Sequence, residues 1–117
     1  MKTSRDPRHQ KRRSIVQKLF SYSFDQTQTD ENISDILSKL SEIDKKITLA
    51  APEWPIDKIA KIDLAVLRNA IYELTRESPE PEKVIIDEAV ELSKEFGNDK
   101  SSSFINGVLG TIVKKTL

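Results

Sequence analysis

Residues 62–113 read IDLAVLRNAIYELTRESPEPEKVIIDEAVELSKEFGNDKSSSFINGVLGTIV. In the first part Leu64, Leu67, Ile71 and Leu74 recur at steps of three and four, which is one face of a helix. Ser78-Pro79-Glu80-Pro81 stops it, because proline lacks the amide a helix interior needs and restricts the residue before it. A second periodic segment carries Val84, Ile85, Ala89, Leu92 and Phe96, with Gly97 expected to take the left-handed conformation that follows many helices. Asn98-Asp99-Lys100-Ser101 then supplies capping side chains for a third helix containing Phe104, Ile105, Val108, Leu109, Ile112 and Val113. Three helices joined by short connections predict a bundle.

Toward the N-terminus the same logic continues. Residues 1–6 are polar and expected to be mobile. Asp6-Pro7 predicts a helix start, with aspartate as N-cap and proline where its missing amide costs nothing. Ile15, Val16, Leu19 and Phe20 form its apolar stripe, and Arg8, Lys11 and Arg12 share another edge. Asp25 to Asp30 is a polar linker. One helix is predicted through Ile33, Ile36, Leu37, Leu40, Ile43 and Ile47. Ala50 to Pro55 reads as a rigid bend around Trp54, the only tryptophan, expected as a packing wedge. Pro55 can open a short helix, and Asp63 can cap the one after it. No segment alternates as a strand would.

At 117 residues the chain is expected to form a single domain, 1–117. Hydrophobic residues make up 37% and charged residues 32%, which predicts a narrow core and amphipathic helices rather than helices buried all round. Without cysteine there are no disulfides or thiolate metal sites. No apolar run approaches the ~20 residues that span a bilayer, and no apolar segment backs the charged N-terminus as a secretory signal would require. A cytoplasmic protein is expected. Net charge is zero but uneven: residues 1–18 hold seven basic side chains against Asp6 alone. A basic end on an acidic body points to a polyanion contact on one face, or to a solvated tail. Several of these cations lie in the first helical turns, where the helix dipole disfavours them by ~0.3–1 kcal/mol each. Phosphate is the economical explanation.

Signatures of catalysis are lacking. One histidine, His9, makes neither a Cys–His pair nor a metal cluster, and its basic surroundings suggest a polar surface position. The acids Glu80, Glu82, Asp87, Glu88, Glu91 and Glu95, spaced with Lys83 and Lys94, read as a solvated, ion-paired helix face. No catalytic residue, metal or cofactor is predicted. Gly107 and Gly110 weaken a helix, which suggests close approach of a neighbouring helix. Phe104 beside Lys100 could be core, or could stack on a base of single-stranded RNA. Asn106 could hydrogen-bond a base or close a helix end.

These motifs together resemble a family. Asp63 to Leu74, DLAVLRNAIYEL, is similar to the D-x-A-I-L-R-x-A-x-Y-E-L helix of the NusB family of bacterial transcription antitermination factors. Val84 to Gly97 resembles its V-x-I-N-E-A-V-E-L-A-K-x-F-G helix, and Phe104 to Leu109 its F-V-N-G-V-L signature. Ala51-Pro52-Glu53-Trp54-Pro55 fits its linker, and Arg12 to Tyr22 its first helix. The likeness is strongest over 51–113 and weakest between 25 and 50.

The resemblance implies an all-α, compact helical bundle of two small helical subdomains without enzymatic activity. It implies partnership with NusE, a small-subunit ribosomal protein, binding of the pair to boxA-like single-stranded RNA, and an indirect link to the RNA polymerase elongation complex. Ribosomal RNA transcription, and ribosome assembly with it, would be the process served. Carried over by position, the RNA contacts fall on Arg5, Arg8, His9, Lys11, Arg12, Gln17, Lys100, Phe104 and Asn106. The partner contacts fall on Phe20, Tyr72, Glu73 and Arg76. The chain departs from the pattern in a shortened linker at 25–32, in a less cationic Arg8-His9-Gln10-Lys11 run, and in Lys100, where many members carry an acid. The alternative is a protein-interaction scaffold that docks NusE or another partner, with RNA binding weak or lost.

Overall fold

The computed structural model describes residues 6–76 and 80–116, the side chains of 115 and 116 excepted. Its elements are α1 (Pro7–Phe24), α2 (Ser34–Ser38), α3 (Leu40–Ala50), a 3-10 turn (Ile56–Lys58), α4 (Lys61–Thr75), α5 (Glu82–Phe96) and α6 (Ser101–Thr116). No described residue lies in a strand. The all-α expectation holds.

Helix α4 is the hub, packed against α1, α2, α3, α5 and α6. Asp63 through Ile71 are buried without a break. The expectation of amphipathic helices throughout is therefore corrected for α4: neighbours cover every side of it, so even its polar residues face protein. Arg68 answers its own burial with a two-pronged bond to Asp44 of α3, Nε to Oδ1 at 3.0 Å and Nη2 to Oδ2 at 2.8 Å. Val16 and Leu19 of α1, Ile43 and Ile47 of α3, Ile85 and Leu92 of α5, and Ile105 and Leu109 of α6 fill the core around it. Each contributes on the order of 1.5–3 kcal/mol by leaving water.

The start of α1 is as predicted. Asp6 is extended, its carboxylate accepts the Arg8 amide at 2.8 Å, and Pro7 opens the helix. Asp6 is thus a placed cap rather than part of a mobile tail; residues 1–5 lie outside the described set. At the other end Asp25 Oδ1 accepts the Thr27 amide at 3.0 Å and its hydroxyl at 2.7 Å, which turns the chain into the predicted linker. Of the break expected at Ser78 to Pro81, residues 77–79 are outside the described set; α4 ends at Thr75 and α5 follows Pro81.

Several local expectations are corrected. The helix predicted through Ile33 to Ile47 is two, interrupted at Lys39, whose amide bonds Ile36 O in a tight turn while Ser38 Oγ donates to Asp35 O. Asp63 lies in the first turn of α4, and the N-cap is Ala60 with no side-chain cap. Gly97 has φ −97°, not a positive value. It is needed for space instead: a Cβ there would sit 2.7 Å from Ser101 Cβ and 2.8 Å from Ser93 O. A Cβ on Gly107 or Gly110 would meet nothing within 4 Å, so the close helix approach expected there is absent among the described residues. They lie on the exposed face of α6.

Candidate nucleic-acid interface

The basic edge of α1 divides into two sets. Along the helix the buried residues are His9, Arg12, Val16 and Leu19, one stripe that begins with two basic side chains and ends with two apolar ones. Arg12 is buried at the junction of α1, α4 and α5. Its Nε and Nη2 donate to Glu73 of α4 at 2.9 and 2.8 Å, its Nη1 donates to Glu88 of α5 at 3.3 Å, and its Nη2 also pairs with Glu80. Burial alone would push the Arg12 guanidinium down; hydrogen bonding and charge from Glu73, then Glu88, outweigh this and hold it above its ordinary value. His9 is buried beside it, Nδ1 3.4 Å from Glu88 Oε1 and Nε2 4.0 Å from Glu95 Oε1. Two corrections follow. His9 is not a surface residue, and Glu88 is not on a solvated face, because α5 turns it into α1. The pairing expected of the rest of that face is present, with Lys83 on Asp87 and Lys94 on Glu91.

Arg8 and Lys11 remain exposed. Arg8 pairs with Asp6 and Glu80, each at 3.2 Å, from a mostly solvated position. Gln17 is exposed and lines a shallow recess with Lys18 and Asp30. Arg5 lies outside the described residues. Arg8, Lys11 and Arg12 share a cleft of about 600 Å³ with Tyr72, Glu73 and Arg76, so residues assigned to RNA and residues assigned to a protein partner are brought together. Tyr72 donates its hydroxyl to Asp35 of α2 at 2.5 Å, and Arg76 lies 5.0 Å over its ring. Phe20 is half-buried, edge-on to the exposed Phe24 at 4.9 Å, away from that cleft's lining.

A second surface forms where the bend before α4 meets the start of α6. Asn98 Oδ1 accepts the Lys100 amide at 2.9 Å, and the Asn98 amide donates to Ser101 Oγ at 3.1 Å, which fixes the approach to α6. Phe104, half-buried, meets Trp54 edge-on at 6.1 Å. Trp54 is 50% exposed, so the expected packing wedge is instead half open to solvent. Lys58, Asp63, Asn98 and Lys100 line a cleft of about 270 Å³ with the two rings. Asp63 is buried, and its Oδ1 accepts no hydrogen bond among the described residues. Asn106 is on the exposed face of α6 beside Gly107 and is not among the residues lining this cleft.

Sequence reasoning placed Lys100 and Phe104 here but missed Trp54 and Asp63. It also missed Glu80 and Glu88 as partners of α1. The first omission had a signal, since an aromatic ring in a proline-flanked bend has few core neighbours to cover it. The second had one too: His9 and Arg12 continue the three-and-four spacing of Val16 and Leu19.

Known proteins are similar in sequence and fold. The NusB family model matches residues 7–114. The transcription antitermination protein NusB of Chloroflexus aggregans is 52% identical over 79 residues, covering 66% of this chain and 53% of that protein. Its counterpart in Macrococcus caseolyticus is 45% identical over 85 residues, covering 73% of this chain and 65% of that protein. The matched stretch thus spans between half and two thirds of the length of these curated relatives. The structure of T. maritima NusB superposes with a TM-score of 0.80 at 32% identity, covering 98% of this chain and 94% of that one. The solution structure of Aquifex aeolicus NusB, at 22% identity, shares the fold with a TM-score of 0.71.

Proposed function

The chain belongs to the NusB family, and from that premise we propose that it is a transcription antitermination factor that binds boxA-like single-stranded RNA together with NusE. One observation carries the RNA part: the Phe104 ring and the exposed Lys100 stand together at the open start of α6. An aromatic face beside a cation is what single-stranded RNA uses, because stacking tolerates any base and the cation neutralises phosphate. Arg8 and Lys11 add cations on α1, and binding therefore weakens as salt rises. The cleft bearing Tyr72 and Arg76 is the proposed NusE surface. The role is one of binding rather than catalysis.

His9 and Arg12 support this reading only through the fold, since both are buried against carboxylates of the chain itself. That same observation favours a second reading, a scaffold that docks NusE with little RNA affinity. The two separate in one experiment, binding of labelled boxA-like RNA and a scrambled control, with and without NusE, at low and physiological salt. Selective, salt-sensitive binding enhanced by NusE supports the first reading. NusE binding with no RNA preference sinks it in favour of the scaffold.

A further inference from the structure

We propose that the chain withholds Arg8 from RNA: the carboxylates of Asp6 and Glu80 occupy its guanidinium in the free protein and release it when an RNA phosphate arrives. This restraint rests on the RNA-binding reading above and sets how much of the α1 charge that reading can use.

Arg8 is open to solvent but not idle. Its side chain is 70% exposed, yet its donors are already engaged. Nε and Nη2 donate to Asp6 at 3.4 and 3.2 Å, and Nη1 donates to Glu80 at 3.2 Å. A phosphate is held best by two parallel bonds along one edge of a guanidinium, so it must displace one of these carboxylates. Exposed ion pairs are weak enough for that, because water and salt screen them.

Glu80 spans the two halves of the α1 edge. Its Oε1 accepts from exposed Arg8 and its Oε2 from buried Arg12. It stands directly before Pro81, the cap of α5, which keeps its backbone out of the helical region. Arg12 does not depend on Glu80 for charge, since Glu73 and Glu88 also bond it. Four carboxylates, of Asp6, Glu73, Glu80 and Glu88, thus surround the two guanidinium groups of Arg8 and Arg12. That surplus repels a polyanion. The contacts that can open without disturbing the buried junction are those on Arg8.

The test removes single carboxylate charges and measures anisotropy of labelled boxA-like RNA and of a scrambled strand against the full chain. Titrations are run with and without NusE at physiological salt, where charges more than about 8 Å apart are largely screened. Glu80→Gln keeps an oxygen for Arg12 and presents an amide that donates, rather than accepts, toward Arg8. Asp6→Asn keeps a capping side chain and touches no bond of Arg12. Each is expected to tighten binding about two- to fivefold, and equally for both strands, because phosphate contacts carry no sequence information. Glu82→Gln removes the same charge from an exposed residue with no bond to Arg8 among the described residues, and is expected to change affinity by less than about 1.5-fold. In an Arg8→Gln background the gains from the first two variants are expected to fall to the Glu82→Gln level.

Equal gains from all three variants overturn the proposal, since net charge alone then explains them. Gains that survive Arg8→Gln also overturn it. Weaker binding in Glu80→Gln and Asp6→Asn overturns it in the other direction, because the carboxylates would then orient Arg8 for RNA. A gain confined to one strand sinks competition with phosphate. Circular dichroism checks the folding of each variant, and Asp6→Asn decides the matter by itself if Glu80→Gln does not fold. Wild-type binding that no variant changes removes this restraint and leaves the RNA reading standing. Failure of every variant and of the wild type to bind either strand, with or without NusE, overturns both.

Discussion

The start of α1 and the start of α6 use similar side chains to opposite ends. At α1 the basic residues His9 and Arg12 turn inward and meet Glu73, Glu80, Glu88 and Glu95. At α6 the rings of Trp54 and Phe104 are only half covered, Lys100 is exposed and Asp63 Oδ1 accepts no hydrogen bond among the described residues. The first set finds its charge partners within the chain. The second is incomplete. A polar or aromatic residue whose bonding is finished by its own fold contributes to the fold, and one left unfinished at the surface has capacity for a ligand.

The largest expected effect tests the complete side. Arg12→Met keeps bulk but strands three carboxylates around an apolar side chain, and should cost about 3–5 kcal/mol in urea unfolding. Lys11→Ala, one position earlier and exposed, should change stability by less than about 0.5 kcal/mol and act on RNA affinity instead. Wild-type stability in Arg12→Met with lost RNA binding would break the contrast, because Arg12 would then belong to the interface.

Glycines sharpen it next. Gly97→Ala places a Cβ against Ser101 and Ser93 and should destabilise by about 1–3 kcal/mol, by forcing the turn that presents Lys100. Gly107→Ala meets nothing and should stabilise by about 0.4–1 kcal/mol, measured by the same unfolding curves. If Gly107→Ala stabilises the chain and weakens NusE or RNA binding, the open face of α6 joins the unfinished side.

These contrasts also show what could be read without a structure. The apolar spacing of Leu64, Leu67 and Ile71 was enough to predict α4, and Asp6-Pro7 enough to start α1, because both signals are local. That α4 is covered on all sides was not legible, since it depends on five neighbours meeting it. Cations near the start of α1 disfavoured by the helix dipole suggested phosphate; for Arg12 the counter-charges come from Glu73, Glu80 and Glu88, 61 to 76 residues away along the chain. Periodicity read from apolar residues alone leaves His9 and Arg12 at the surface, although their spacing places them on the buried stripe. Asp63 suits a cap by type and position, and its burial beside a cleft follows only from the packing of α4.

A smaller effect tests the unfinished side. Lys100→Ala should leave stability unchanged and reduce the slope of log affinity against log salt for single-stranded RNA by about 0.7. An unchanged slope would mean that Lys100 meets no phosphate and that α1 supplies the electrostatic attraction by itself.

The smallest effect lies between the two extremes, at Tyr72, which is partly exposed yet already bonded. The hydrogen bond to Asp35, with burial second, holds the Tyr72 phenol above its ordinary value. The same bond first, then that from Lys39, holds the Asp35 carboxyl below its ordinary value. The signs bound a window. The Asp35 contribution is present above the unfolded carboxyl value of 3.8 and is lost as pH falls through the lowered folded value. The Tyr72 contribution is present below 10.0 and is lost as pH rises through the raised one. In a Tyr22→Phe background, where Tyr72 alone absorbs as a phenol, Asp35→Asn should bring its titration back toward 10.0. If the titration does not move, the hydroxyl is not committed to α2 and belongs with the unfinished groups. If it moves, a partner docking at this cleft must either bind around the Tyr72–Asp35 bond or break it, and NusE affinity in Asp35→Asn tells which: a bond that must be broken gives tighter binding in the variant, and a bond that orients Tyr72 for the partner gives weaker binding.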